Sequence, residues 1–270
     1  MEKENLAREE IIVTKENLPS ILSEIAVERE KKGTSEVLIP HIRKVRKEVE
    51  KLGDASSAVQ LYQEEFLSAQ HIVMEEKSKR LKANPIRAAK GLFIMESTSK
   101  TMEKYVGNKD LDPVIRARIF RFLGRYADHK GQFNKSEVYY RKGLEYFDQS
   151  TKPEEKFNRL EFLGFISYSL TKQGKTEEGL DLAKQTLKDF DKSDEGKWLK
   201  ENNYYAWAVW KSGIEIRTAE HITKKKDFKN ADLAKTFLTD SENILRMPDG
   251  TTESFRLRLD ELATVKGLIA

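Results

Sequence analysis

Apolar residues recur along the chain at three-to-four spacing, the period of an amphipathic helix. Leu18, Ile21, Leu22 and Ile25 form one such stripe, and Leu38, Ile42, Val45 and Val49 form another. The pattern returns at Tyr140, Leu144 and Phe147, at Leu180, Ala183 and Leu187, and at Leu233, Phe237 and Leu238. No run alternates apolar and polar positions convincingly, so no strand is predicted. Breakers cut the pattern into roughly a dozen helices. The clearest are Gly33, Gly53, Asn84-Pro85, the stretch from Gly107 to Pro113, Gly131, Pro153, Gly174, Lys226-Asp227 and Pro248-Asp249-Gly250. At Asn84-Pro85 and Asp112-Pro113 a capping side chain precedes a proline suited to the first helical turn, where its missing N–H costs nothing. Thr151 is placed to cap in the same way ahead of Pro153.

One turn repeats within this pattern. Gly53 is followed five residues later by Ala58, Gly131 by Ser136 and Gly174 by Gly179. A fourth copy has Lys226 in place of the glycine, with Ala231 five residues on. The physical reading is a tight helical hairpin. The first residue takes the left-handed conformation at a helix C-terminus, and the second is small enough for the two helices to approach closely.

The best copy carries Phe120, Leu123, Gly124 and Ala127, then Gly131-Gln132-Phe133, then Ser136 and Tyr140. A weaker copy has Leu163, Ile166, Ser167 and Leu170, then Gly179 and Ala183, and another has Ile42, Val45 and Val49, then Ala58 and Tyr62. This resembles the tetratricopeptide repeat (TPR) family, whose pattern runs aromatic, Leu-Gly, Tyr, then small and aromatic, with a late proline. Ala127 stands where the family has Tyr, and Asp148 where it has Pro. The small residues at 58, 136, 179 and 231 lie 78, 43 and 52 apart, against about 34 in a regular array. The resemblance implies an all-α fold, a right-handed solenoid of antiparallel helix hairpins with long, irregular helices. It places capping helices at 1–34, repeats at 35–247 and a C-terminal capping helix at 248–270.

The composition fits long amphipathic helices. The 270 residues carry 49 Lys+Arg and 45 Asp+Glu, a net charge of +4, with only 6 Pro and 14 Gly. Few breakers and abundant charge argue against a sandwich of short strands or a disordered chain. The absence of Cys excludes a disulfide framework, a thiolate zinc site, an iron–sulfur cluster and a cysteine nucleophile. No signal peptide or membrane span is read in the sequence, so a cytoplasmic protein is the expectation.

No enzyme signature is present. The four His show no paired helical metal spacing, and neither a phosphate-binding Gly-rich loop nor a Ser nucleophile elbow occurs. No catalytic residue, metal or cofactor is expected. Surface chemistry remains. Arg118, Arg121 and Arg125 share one face of a helix, opposite Ile119, Phe120, Leu123 and Ala127. The resemblance places these arginines on the stripe that lines the concave face, with Arg43 and Lys47 matching them in the first copy and Tyr168 in the second. Arg87 and Lys90 come from the intervening helix. Trp210 and Lys211 belong to an aromatic run, Tyr204 to Lys211, that either fills the core or lends a ring to the groove. Arginine forks clamp carboxylates and phosphates. The stripe is therefore either a groove for an acidic or phosphorylated peptide or a set of ion pairs with neighbouring helices. The resemblance implies a non-enzymatic scaffold for a protein partner; the alternative is a helical repeat that binds nucleic acid without sequence preference.

Overall fold

The structure, a computed structural model, describes residues 12–31, 33–79, 82–148 and 153–269. The expected cap at Thr151 and the first eleven residues of the expected N-terminal cap lie outside them. All regular structure among the described residues is helical. The helices are α1 (Leu18–Glu30), α2 (Ser35–Lys51), α3 (Ala55–Ser78), α4 (Pro85–Glu103), α5 (Pro113–His129), α6 (Phe133–Phe147), the short α7 (Pro153–Lys156), α8 (Asn158–Lys172), α9 (Thr176–Lys192), α10 (Asp194–Asn202), α11 (Tyr204–Lys224), α12 (Ala231–Ile244) and α13 (Arg256–Ile269). Single 3-10 turns, Phe228–Asn230 and Glu253–Phe255, precede the last two.

Local chemistry sets the boundaries. Asn84 Oδ1 accepts from the N–H groups of Ile86 and Arg87 at 3.0 and 3.2 Å, and Asp112 Oδ1 accepts from Val114 N–H at 2.7 Å. Each carries a first-turn proline behind it, so both cap as the sequence predicts. At the hairpin turns, Gly53, Gly131 and Gly174 have φ of 71°, 70° and 88°. Lys226, with φ 53°, is the one non-glycine residue at positive φ among the described residues. Three of the turns match bond for bond. Gln132 N–H donates to Ala127 O (2.9 Å), Lys175 N–H to Leu170 O (3.0 Å) and Asp227 N–H to Ile222 O (3.0 Å). Each is the long bond of a Schellman motif, which requires a left-handed residue just past the helix end. Lys226 fills that position at the cost of a Cβ clash. Lys226→Gly is therefore expected to stabilise the fold by about 0.5–1 kcal/mol, the relieved strain less the extra chain entropy of glycine. A higher urea midpoint with unchanged slope would show it, and a lower midpoint would mean the lysine is not strained.

The small residue that follows is where the helices meet. Ala58 and Ser136 are buried, and a Cβ on Gly179 would stand 2.8 Å from Ser167 O on α8. The fourth copy differs. The 3-10 turn delays the start of α12, so the buried small residue is Ala234, at 1% exposure, while the expected Ala231 is half-buried.

Contacts divide the chain into two compact units, Met1–Tyr126 and Ala127–Ala270, with the division inside α5. In the first unit α1 packs on α2 and α3, α2 on α3, and α3 on α4. Its core gathers Leu18, Ile25, Leu38, Ile42, Val45, Val49, Ala58 and Leu61, and Phe122 of α5 meets Phe66 edge-on at 5.0 Å. In the second unit most helices pack on a chain neighbour, and several also pack on a helix further along the chain. α6 packs on α8 and α8 on α9; α11 packs on both α8 and α9, α12 on α11, and α13 on both α11 and α12. Large rings fill the layer between α6 and α8: Tyr140 stacks on Phe165 at 5.0 Å and Phe147 meets Phe162 edge-on at 5.2 Å. The buried Tyr140 hydroxyl donates to Asp128 at 2.6 Å, which satisfies the one polar atom that ring carries. Leu262, Val265 and Phe255 seat the C-terminal segment on the core of this unit.

Candidate functional site

The expected partner-binding residues divide between the two units. Arg43, Lys47, Arg118, Arg121 and Arg125 lie in the first, and Tyr168, Trp210 and Lys211 in the second.

In the first unit, α1, α3 and α5 enclose a groove of about 290 Å³ lined by Leu22, Ser23, Gln60, Gln63, Glu64 and Arg118. Gln60, Gln63 and Glu64 sit three and four residues apart on α3, so they share a face. Arg118 is the one member of the arginine stripe in the wall. Glu64 is half-buried: desolvation pushes its carboxyl up, opposed by the charges of Arg29, Arg121 and Arg118. Arg29 Nε stands 3.1 Å from Glu64 Oε2. Arg118, Arg121 and Arg125 are half-buried and each takes part in interactions within the fold; Arg121 places its guanidinium 4.9 Å over the Phe122 ring. The Glu64 carboxyl thus feels the charges of Arg29, Arg121 and Arg118, and the groove has Arg118 in its lining.

Other basic residues are drawn into internal ion pairs. Arg43 Nε donates to Glu65 Oε1 at 2.7 Å, and Arg46 pairs with the other oxygen of the same carboxylate. Arg87 bonds Glu76 at 2.6 Å and Glu75 at 3.1 Å, and lies 3.2 Å from Glu36. The Asn84 N–H, Lys79 and Arg87 hold the Glu76 carboxyl down at about 2, and the cluster fixes the corner between α3 and α4. Lys47 is exposed on α2, and Lys90 on α4.

In the second unit Tyr168 lines a shallow depression between α8 and α11 with Gly164, Ser167, Thr171, Ile214, Arg217 and Thr218. Its volume, about 10 Å³, has room for a single water. The Tyr168 ring meets Phe133 edge-on at 6.0 Å and has Lys172 Nζ 5.2 Å above it. Trp210 is half-buried in a three-ring stack, 5.9 Å from Phe157, which lies 5.0 Å from Trp198. Lys211 Nζ bonds Asp191 at 2.6 and 2.8 Å and sits 5.1 Å over the Trp207 ring. Its side chain is thereby anchored along the flank of α11.

Sequence reasoning missed Ser23, Gln60 and Gln63. The only signal was the Gln60–Gln63 spacing, which exposed helix faces share. No group of three or more His, Asp or Glu among the described residues is placed to hold a metal, and no helix among them is long and apolar enough to cross a membrane. No protein-family model, no curated protein and no solved structure matches the chain.

Proposed function

We propose that the chain is a non-enzymatic interaction scaffold that holds a peptide segment of a partner protein. The single observation that carries this reading is the groove between α1, α3 and α5, with Arg118 in a lining otherwise rich in neutral hydrogen-bonding groups. About 290 Å³ lies at the lower edge of the range of ligand sites, enough for a short stretch of chain. In support of a TPR-like solenoid, α6 packs on α8, α9 on α11 and α11 on α13 in the second unit, each across one intervening helix, as stacked hairpins do. The cytoplasm is the proposed compartment, with no cofactor. The nucleic-acid alternative draws less support, because Arg43, Arg87 and Lys211 are paired with carboxylates.

The test is selection of a displayed library of random short peptides on the full chain, with single-stranded RNA as competitor. Binders that RNA does not displace, weakened about tenfold or more by Arg118→Ala, are expected. Recovery of no binder, or displacement of every binder by RNA, would overturn the scaffold reading.

A further inference from the structure

The groove in the first unit holds an unmet hydrogen-bonding demand. Gln63 is 6% exposed, and its Nε2 is buried without a hydrogen-bond partner. A buried amide donor left unpaired costs about 1–3 kcal/mol, so natural folds satisfy nearly all of them. Gln63 is not hemmed in by apolar atoms alone. It lines the groove beside Gln60, Ser23 and Glu64, so a turn of its carboxamide would bring that donor to an acceptor oxygen in the groove.

The type of acceptor follows from the arrangement. Gln60 and Gln63 are successive groove-facing positions on α3. A carboxamide carries two donors and an acceptor on one planar group, and so pairs with a group that offers both a C=O and an N–H. The main chain of an extended peptide offers these groups in alternation along its length. A phosphate or sulfate would leave the carboxamide oxygens unmatched. An apolar ligand would leave the Gln63 donor unpaired.

We infer that the α1–α3–α5 groove recognises the main chain of an extended peptide through the side-chain amides of Gln63 and Gln60, with Gln63 donating to a peptide carbonyl. This rests on the scaffold reading and adds to it that recognition is of backbone, carried by α3, and tolerant of side-chain sequence. Arg118 then biases the choice of side chains without being the anchor.

The experiment uses the full chain and a peptide recovered from the displayed library, synthesised with single backbone N-methylations and, separately, single alanine substitutions. Affinity is read by fluorescence anisotropy against wild type, Gln63→Leu and Gln60→Leu. Gln63→Leu replaces an unpaired buried donor with an apolar group of similar size, so its urea midpoint is expected to equal or exceed that of wild type. The expected result is a loss of about tenfold or more for Gln63→Leu and a smaller loss for Gln60→Leu. N-methylation at one or two positions should abolish binding where most alanine substitutions do not. Undiminished binding by Gln63→Leu, or tolerance of N-methylation at every position, would overturn the inference and leave the scaffold reading standing. A library that yields no binder would overturn both.

Discussion

Replacing Glu215 with Gln is expected to stabilise the protein at pH 8 by about 4 kcal/mol and at pH 5 by less than about 1 kcal/mol. Glu215 lies on α11, 2% exposed, and its Oε2 accepts from Ser241 Oγ of α12 at 2.7 Å. Burial pushes its carboxyl up to about 8; the Ser241 hydroxyl and Lys211 oppose this, and Asp240 and Asp191 add to it. The ordinary value is 4.5. Between these limits the folded state holds a proton that the unfolded chain has lost. Stability is therefore full below the unfolded value, falls as pH rises toward 8, and levels off above it. The glutamine variant carries no such proton and still offers an oxygen to Ser241. Urea unfolding from pH 5 to 8.5 checks this: the wild-type midpoint should fall more steeply than that of the variant. Parallel profiles would mean that Glu215 titrates at an ordinary value.

The second large effect belongs to Glu65. This carboxylate is 2% exposed on α3 and is shared by Arg43 and Arg46 of α2. Arg46 also lies 3.9 Å over the Tyr62 ring and 3.6 Å from Glu50, whose Oε1 accepts from the Tyr62 hydroxyl at 3.0 Å. Glu65→Ala strands the mostly buried Arg46 guanidinium and opens a void between two helices. Removing one partner of such a pair costs about 3 kcal/mol or more. Arg43→Ala is expected to cost under about 1 kcal/mol, because the Arg43 side chain is 46% exposed and exposed pairs contribute little. Chemical denaturation of the two variants checks the contrast. Equal losses would mean that Arg43, and not Arg46, carries the pair.

The parts of the fold that were legible in sequence are those set by neighbours along the chain. A capping side chain two residues from its N–H, as at Asn84, or a left-handed residue at a helix end, as at Gly131, leaves a local signature. Lys226 shows how far that signature reaches, since its position in the repeat identified the turn without the glycine. Ala231 shows its limit, because nothing nearby announced the 3-10 turn that moves the packing position to Ala234. The polar interior of α3 was not legible. Glu65 looks like any solvated carboxylate until α2, 22 and 19 residues away from it at Arg43 and Arg46, supplies its partners. Gln63 looks like a surface residue until α1 and α5 close over it. The arginine stripe was visible as a face, but only the packing of α1, α3 and α5 singles out Arg118 as the member that lines the groove.

A bound peptide should sit between α1, α3 and α5 of the first unit. Amide hydrogen exchange on the full chain, with and without a saturating peptide from the library, reads this without any substitution. Slowed exchange in α1, α3 and the Pro113–Tyr126 part of α5, with the second unit little changed, is the predicted result. Unchanged exchange in those helices, or protection confined to the segments around Tyr168 and Trp210, would contradict the assignment of the groove.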